Sequence, residues 1–509
     1  MLDLGTSFIA SVERDPGAMA IAEGDRTITY SDWYCRISAL VDALGQIGLR
    51  KGDMLVTAMQ NRWENASLHW ACQIAGIVIT PVNWRVTADE LDHALRDSEA
   101  RVLVHDDAAS EAVAGSALAA DLNVLPLDGD QGLAAMLAGR AADAAPQAGA
   151  DDMSVMLYTS GTTSKPKGVP RRHRAERAAA IAHVAQNMYG HGERTLGVMP
   201  LYHTMGIRSL LSASVIGGAF VCLPRFNVPD ALDAIERHDV DNLYLVPTLY
   251  HDIVNHASFT PHRVASVRKL GFAGASMTDG LLQKLAEAFR PELFVNHYGS
   301  SEIYTFSICQ DAAAKPGSAG RAAINQRLRV VPLGTTDVSQ TCAPGQEGEI
   351  VASMQGDEAF EGYWNRPEAD KKAIRDGWYF TGDCGHFDED GDLFVTGRAD
   401  DMIITGGENV SPVEVESCLS LHPAVAEVAV VGLPDARWGK VVTAFVKRGE
   451  KVTEDELDAH CRDSDLSNFR RPRRYVFVRE IPKSPVGKLL RRLLVAGEYE
   501  VEPAETTTA

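Results

Sequence analysis

Short apolar runs and helical spacings alternate along most of this chain. From about residue 150, β-rich segments at Val155 to Tyr158, Leu243 to Val246, Lys269 to Phe272 and Leu293 to His297 are interleaved with helical stretches at Arg174 to Met188 and Leu281 to Phe289. In the second stretch Leu281, Leu282, Leu285 and Phe289 share one helical face, with Lys284 and Glu287 off it. Such alternation predicts an α/β fold in which parallel or mixed sheets are covered by helices. Residues 1–150 read as similarly mixed, ending in an Ala-rich helix and surface loop between Ala134 and Ala150.

The texture changes after Gly397. A helical run at Val413 to Leu419, strands at Val425 to Val431 and Val441 to Val446, a helix at Glu454 to Cys461 and a strand near Tyr475 to Val478 predict a small α+β unit. A unit of about 110 residues is large enough to fold alone. The expected division is a large domain over 1–399 and a small C-terminal domain over 400–509. Asp400, in GRADDMI, lies between two apolar strands as an exposed hinge requires.

Charge narrows the partners. Asp plus Glu number 69 against 49 Lys plus Arg, and the net charge of −20 repels a phosphate backbone, which argues against nucleic acid. The 45% of hydrophobic residues excludes disorder. The first residues, MLDLGTSFIASVERD, place no basic segment before an apolar run, and no stretch reaches the roughly 18 apolar residues of a membrane span. The expectation is a soluble cytoplasmic protein with no membrane partner. Eight cysteines without a CxxC pair or zinc-type spacing read as reduced thiols.

The densest chemical signal is YTSGTTSKPKG, Tyr158 to Gly168, read as a loop between a strand and a helix. Gly161 lets backbone approach an anion, and Thr159, Ser160, Thr162, Thr163 and Ser164 offer donors backed by Lys165 and Lys167. The segment should hold phosphate. It is not a GxxxxGK[ST] loop, because Pro166 stands five places after Gly161. Glu302 follows a strand and projects from a carboxyl-end loop, where open α/β sheets place ligands. Between Asn468 and Leu493 nine basic residues face one acid, Glu480, a local excess that suits a polyanion.

The Tyr158 to Gly168 run closely resembles the phosphate loop of the adenylate-forming acyl-CoA synthetases. PLYHTMG (Pro200 to Gly206), FAGASM (Phe272 to Met277), NHYGSSE (Asn296 to Glu302), YFTGD (Tyr379 to Asp383), GRADDMIITGGENVSP (Gly397 to Pro412) and PKSPVGKLLR (Pro482 to Arg491) agree in order over nearly the whole chain. PLYH, DARWGK and NFRRPRRY look closest to the benzoate and 4-chlorobenzoate CoA ligase branch. Ser164 stands where that family usually has glycine, and Ser301 where threonine is commoner.

The resemblance implies ATP, Mg²⁺ and coenzyme A. It implies catalytic roles for Lys488, Glu302 and His203, with Glu302 holding Mg²⁺. ATP would be bound by Thr159, Ser160, Gly161, Thr162, Thr163, Lys167, Tyr298, Gly299, Ser301, Asp383 and Arg398, Tyr298 stacking on adenine and Asp383 taking the ribose hydroxyls. The acyl group would lie against His203, Tyr250, Ala273, Gly274, Ala275 and Tyr304, in a short apolar pocket with no charged recognition group. Coenzyme A would meet Arg85, Gly407, Trp438 and Arg473. The small domain would be mobile about Asp400, exchanging Lys488 for Gly407 between two half-reactions.

The first reading is an ATP-dependent ligase joining an aromatic acid, benzoate-like or heteroaromatic such as furoate, to coenzyme A through an acyl-adenylate. A medium-chain fatty acyl-CoA synthetase is the alternative. A free-standing amino-acid adenylation enzyme loading a carrier protein needs a carboxylate for the α-ammonium, and Met199 to Gly206 contains none. A non-catalytic nucleotide-binding protein would not need both Lys488 and Glu302. Related ligases are often dimers, which leaves a homodimer open.

Overall fold

A computed structural model describes residues 1–139, 143–159, 166–398, 401–484 and 487–502. Two sheets build the large domain. In the first, strands Asn123–Pro126, Val102–His105, Met54–Ala58, Val78–Pro81 and Met153–Thr159 run parallel in that order, with Lys167–Arg172 antiparallel at the edge. The helix Trp63–Ala75 is buried at every position, hence its sequence WENASLHWACQIA shows no polar stripe.

The second sheet joins two halves. One is parallel, running through Ala219–Cys222, Arg194–Gly197, Asn242–Leu245, Lys269–Phe272 and Leu293–Tyr298. The other is antiparallel, through Ser307–Cys309, Ser318–Ala322, Leu393–Arg398, Trp378–Phe387, Gly348–Ser353 and Leu328–Val331. The helix Asp279–Phe289 buries Leu282, Leu285 and Phe289, the face its spacing predicts.

One sequence expectation is corrected. The phosphate-loop segment bridges a β-hairpin rather than leading from strand to helix: Thr159 pairs with Lys167, and the helix starts only at His173. The antiparallel half between 307 and 398 was not read from the sequence at all. Ala134 to Ala150 contains the end of a short helix, Leu133–Ala138.

The small domain is a five-stranded sheet, with a long hairpin of Val425–Asp435 and Gly439–Arg448 extended in parallel by Arg474–Phe477. Helix Glu454–Asp463 opens with a capping box, Thr453 and Glu456 satisfying each other's backbone N–H groups. The hinge position Asp400 lies outside the described residues. No helix among the described residues is long and apolar enough to cross a membrane, and all eight cysteines are free.

Candidate active site

Side chains from distant parts of the sequence meet beyond the carboxyl ends of the parallel strands, where open α/β sheets form their ligand crevice. Strand Asn242–Leu245 delivers Val246 and Thr248, Lys269–Phe272 delivers Ala273 and Gly274, and Leu293–Tyr298 leads to Glu302. The small domain supplies Lys488. Its carrier turn folds back on itself, Ser484 N–H donating to the Lys488 carbonyl at 2.7 Å and Lys488 N–H to Ser484 Oγ at 3.0 Å.

Gly487 makes that approach possible. Its φ of +78° is left-handed, and a Cβ there would lie 2.2 Å from Thr248 Oγ1 of the large domain. Lys488 Cε then comes within 3.9 Å of where a Gly274 Cβ would stand. The Lys488 side chain is open to the cleft, yet the protein walls around it lower its pKa below the usual lysine value, while Asp383 and Glu302 pull it back up. The ammonium is the form that offsets phosphate charge. An adenylation rate should therefore fall with rising pH at an apparent pKa below the ordinary 10.5. Lys488→Arg should erase that limb, and an unchanged limb in that variant would assign it elsewhere.

Asp383 and Arg398 face each other as a register pair across adjacent strands. Arg398 Nη1 donates to Asp383 Oδ1 at 3.2 Å, and Tyr298 Oη donates to Asp383 Oδ2 at 2.6 Å. Burial raises the Asp383 carboxyl above its ordinary value, with Arg398 opposing. The Tyr298 ring leans on Phe306 at 5.0 Å, so this tyrosine also orients the carboxylate.

Glu302 is held from two sides. Tyr363 Oη donates to its Oε1 at 2.7 Å, and Lys167 Nζ stands 3.9 Å over the Tyr363 ring, so the described end of the phosphate-loop hairpin packs on the tyrosine that holds the Glu302 carboxylate. The Glu302 carbonyl accepts from Arg171 Nη1 at 2.9 Å. A Cβ on Gly299 would fall 2.0 Å from the Tyr304 carbonyl oxygen, so this turn needs glycine for close approach. Ser301 is half-buried in the same turn. Thr159 ends the strand before the loop. Ser160, Gly161, Thr162 and Thr163, together with Ser164 and Lys165, lie outside the described residues.

The sequence reading missed the buried network beneath Glu302. Arg171 and Glu176 pair at 2.8 Å with no side-chain exposure, Arg171 Nη1 also reaches the Glu358 carbonyl at 2.6 Å, and Tyr304 Oη donates to Glu176 at 3.0 Å. Arg208 donates to Thr305 Oγ1 at 2.6 Å and to the Tyr244 hydroxyl. One signal was available: Arg208 stands alone among apolar and small residues in HTMGIRSLL.

On the acyl side, His203 caps the helix Thr204–Val215, its Nδ1 accepting the Met205 N–H at 3.3 Å. Burial, then the charges of Lys488 and Arg208, push its pKa down to about 3, so the ring is neutral with its proton on Nε2. Around Gly274, Val246 Cγ1 and Met205 Sδ stand 3.3 and 3.8 Å from the Cβ position; Ala273 is buried beside it and Ala275 half-buried.

Two acyl-site assignments are corrected. Tyr250 is 0% exposed and its hydroxyl donates to the Leu243 and Gly271 carbonyls, a core role tying two strands together. Tyr304 is 3% exposed, its hydroxyl committed to Glu176 and its ring covered by Arg171 at 4.1 Å. Nor are the surroundings wholly apolar, since Arg208 lies one helical turn beyond His203 and Met205.

The four positions expected to meet coenzyme A lie on exposed surfaces. Arg85 stacks on Trp84 at 3.6 Å beside Tyr202 and Arg225. Trp438 is 46% exposed and packs against Gly406, while Gly407 sits exposed beside it at the tip of a second hairpin, Ile403–Thr405 with Glu408–Val410. Arg473 is also exposed, donating to the Asn468 carbonyl at 3.1 Å. With Lys488 in the cleft and Gly407 in solvent, the domains stand in the orientation expected of the first half-reaction.

The family described as AMP-binding enzyme matches residues 8–364, and its C-terminal domain matches residues 414–488. A 4-chlorobenzoate–CoA ligase from an Arthrobacter species is 35% identical over 95% of this chain and 93% of its own length. A long-chain-fatty-acid–CoA ligase, FadD13 of Mycobacterium tuberculosis, is 31% identical over 92% of this chain and 93% of its own. The crystal structure of ATP-bound MatB from Rhodopseudomonas palustris superposes with a TM-score of 0.87, at 29% identity, covering 97% of this chain and 99% of that one. The chain belongs to the AMP-binding enzyme family. It is an acid–thiol ligase that uses ATP and coenzyme A and proceeds through an acyl-adenylate.

Proposed function

We propose that the acid is short and flat, a benzoate-like or heteroaromatic carboxylic acid such as 2-furoate. The observation that supports this reading is a buried, bonded guanidinium close behind the expected acyl residues. Arg208, about one helical turn beyond His203 and Met205, is 2% exposed and bonded to Thr305 and Tyr244. A long alkyl chain would have to displace a bonded, buried guanidinium, which costs far more than its own burial returns. A flat ring packed against Met205 and Val246, which both approach Gly274, would be stabilised by about 25 cal/mol per Å² of apolar area buried. The greater similarity to a 4-chlorobenzoate ligase than to a long-chain ligase points the same way.

In the first half-reaction the substrate carboxylate attacks the α-phosphorus of ATP and pyrophosphate leaves. Two anions must meet, and the Lys488 ammonium offsets their charge in the transition state. Asp383, held by Tyr298 and Arg398, accepts from the ribose hydroxyls. Lys167 and the Ser160 to Lys165 segment bind the outgoing phosphates. The single carboxylate of Glu302, beside the phosphate-loop hairpin, suits Mg²⁺, which commonly takes one or two carboxylates plus phosphate oxygens and would neutralise phosphate charge when bound. His203 cannot act as a cationic group, because its neutral ring is fixed by the Met205 N–H; it offers Nε2–H as a donor beside the acyl site. In the second half-reaction the small domain, residues 400–509, turns about Asp400, withdrawing Lys488 and bringing Gly407 to the path of the thiol. Arg85, Trp438 and Arg473 bind the nucleotide end of coenzyme A.

Substrate choice is tested by kcat/KM for benzoate, 2-furoate and octanoate in coenzyme-A-dependent AMP release. The aromatic acids should exceed octanoate by about tenfold or more, the worth of 1.4 kcal/mol or more of differential binding. A tenfold preference for octanoate would make the cleft a tunnel and refute the reading.

A further inference from the structure

Three contacts among the described residues join the small domain to one face of the large domain, and none involves a group that touches the reacting atoms. His251, on helix Pro247–Asn255, donates from Nε2 to the Ala426 carbonyl at 3.1 Å, its Nδ1 lying 3.8 Å from Glu427. Gly280, in the first turn of helix Asp279–Phe289, donates its N–H to Ser420 Oγ at 3.3 Å. A Cβ on Gly280 would lie 2.3 Å from the Ser420 carbonyl oxygen. The third contact is that of Gly487 on Thr248.

Gly280 is informative because its own backbone does not require glycine. It lies in a helix without a positive φ, where alanine would be favoured by about 1 kcal/mol. The side chain is excluded only by backbone of the other domain. Helix Pro412–Ser420, which ends at Ser420, is also anchored to the Lys488 segment, since Arg491 Nη2 donates to both oxygens of the buried Glu416 at 2.8 Å. A shift at Ser420 is therefore transmitted to the turn that carries Lys488.

We propose that His251 and Gly280 are positioning residues forming, with Thr248, a clamp that holds the small domain with Lys488 in the cleft, and that this clamp serves adenylation alone. The inference rests on the domain rotation proposed above. Once the small domain turns, Ala426 and Ser420 leave this face, and the second half-reaction no longer uses it.

Pyrophosphate exchange and thioester formation from supplied acyl-adenylate are measured for Gly280→Ala, His251→Ala and His251→Gln. Gly280→Ala should lower exchange by about tenfold or more, as a backbone overlap demands. His251→Ala should lower it by roughly twofold to tenfold, the worth of one hydrogen bond, and His251→Gln, which retains a donor, should recover most of it. Thioester formation should stay within about twofold of wild type in all three. Equal losses in both half-reactions, or unchanged exchange in both Gly280→Ala and His251→Ala, would overturn the clamp. A distance measurement between fluorophores on the two domains, with ATP alone, reads the clamp without any acid. The wild type should hold the closed separation and Gly280→Ala should lose it, whereas identical distances would overturn the clamp and leave the aromatic-acid reading untouched.

Discussion

Lys488→Ala should reduce acid-dependent pyrophosphate exchange by about a hundredfold or more while leaving thioester formation from supplied acyl-adenylate near the wild-type rate. The size follows from deleting a charge that acts where two anions meet, a contact worth roughly 3–4 kcal/mol of transition-state stabilisation. The selectivity follows from geometry. The lysine reaches the cleft only through the Ser484 to Lys488 turn seated on Thr248, and only in this domain orientation. Measuring the two half-reactions separately checks it. Loss of both by the same factor would make Lys488 a structural residue of the small domain.

Arg171→Met should be the most destabilising single change near the site. Both members of its pair with Glu176 have 0% side-chain exposure, so the variant strands a carboxylate in the core. Breaking such a pair from one side costs about 3–5 kcal/mol, whereas replacing both partners with apolar groups is often neutral. Arg171→Met paired with Glu176→Leu should therefore recover more than half of the loss. The denaturant midpoint of the large domain reports both variants. A single variant within about 1 kcal/mol of wild type would mean that the Tyr304 hydroxyl alone satisfies Glu176. Exchange should also fall, because Arg171 fixes the Glu302 backbone.

Much of this site was legible because its chemistry is carried by short motifs. Glu302, Asp383 and Lys488 lie far apart in the sequence, yet Lys488 comes under the electrostatic influence of both carboxylates. Regular elements were legible where a short run is buried throughout: the strand Lys269–Phe272, buried at every position, has the bounds its run suggests. The antiparallel half was not, for a physical reason. Several of its strands are short, Ser307–Cys309 having three residues, and some partners are remote, Ser318 pairing with Phe394. Such strands carry little local signal. Tyr250 and Tyr304 were misjudged because an aromatic beside a site loop looks the same in sequence whether its ring faces a ligand or the core. Their hydroxyl partners decide the matter, and those are tertiary. Arg171 and Glu176 were missed because charges at the end of a polar run, PRRHRAER, read as solvent-facing until strand Lys167–Arg172 turns one arginine inward.

The most direct test mixes enzyme, ATP, Mg²⁺ and an aromatic acid without coenzyme A, quenches on the millisecond scale and counts products per active site. Close to one equivalent each of pyrophosphate and bound acyl-adenylate should form before any AMP is released, and added coenzyme A should convert that adenylate to thioester and free AMP. Appearance of ADP and phosphate, or absence of any acid-dependent pyrophosphate until coenzyme A is present, would contradict an enzyme whose Lys488-in cleft adenylates its acid before coenzyme A is used.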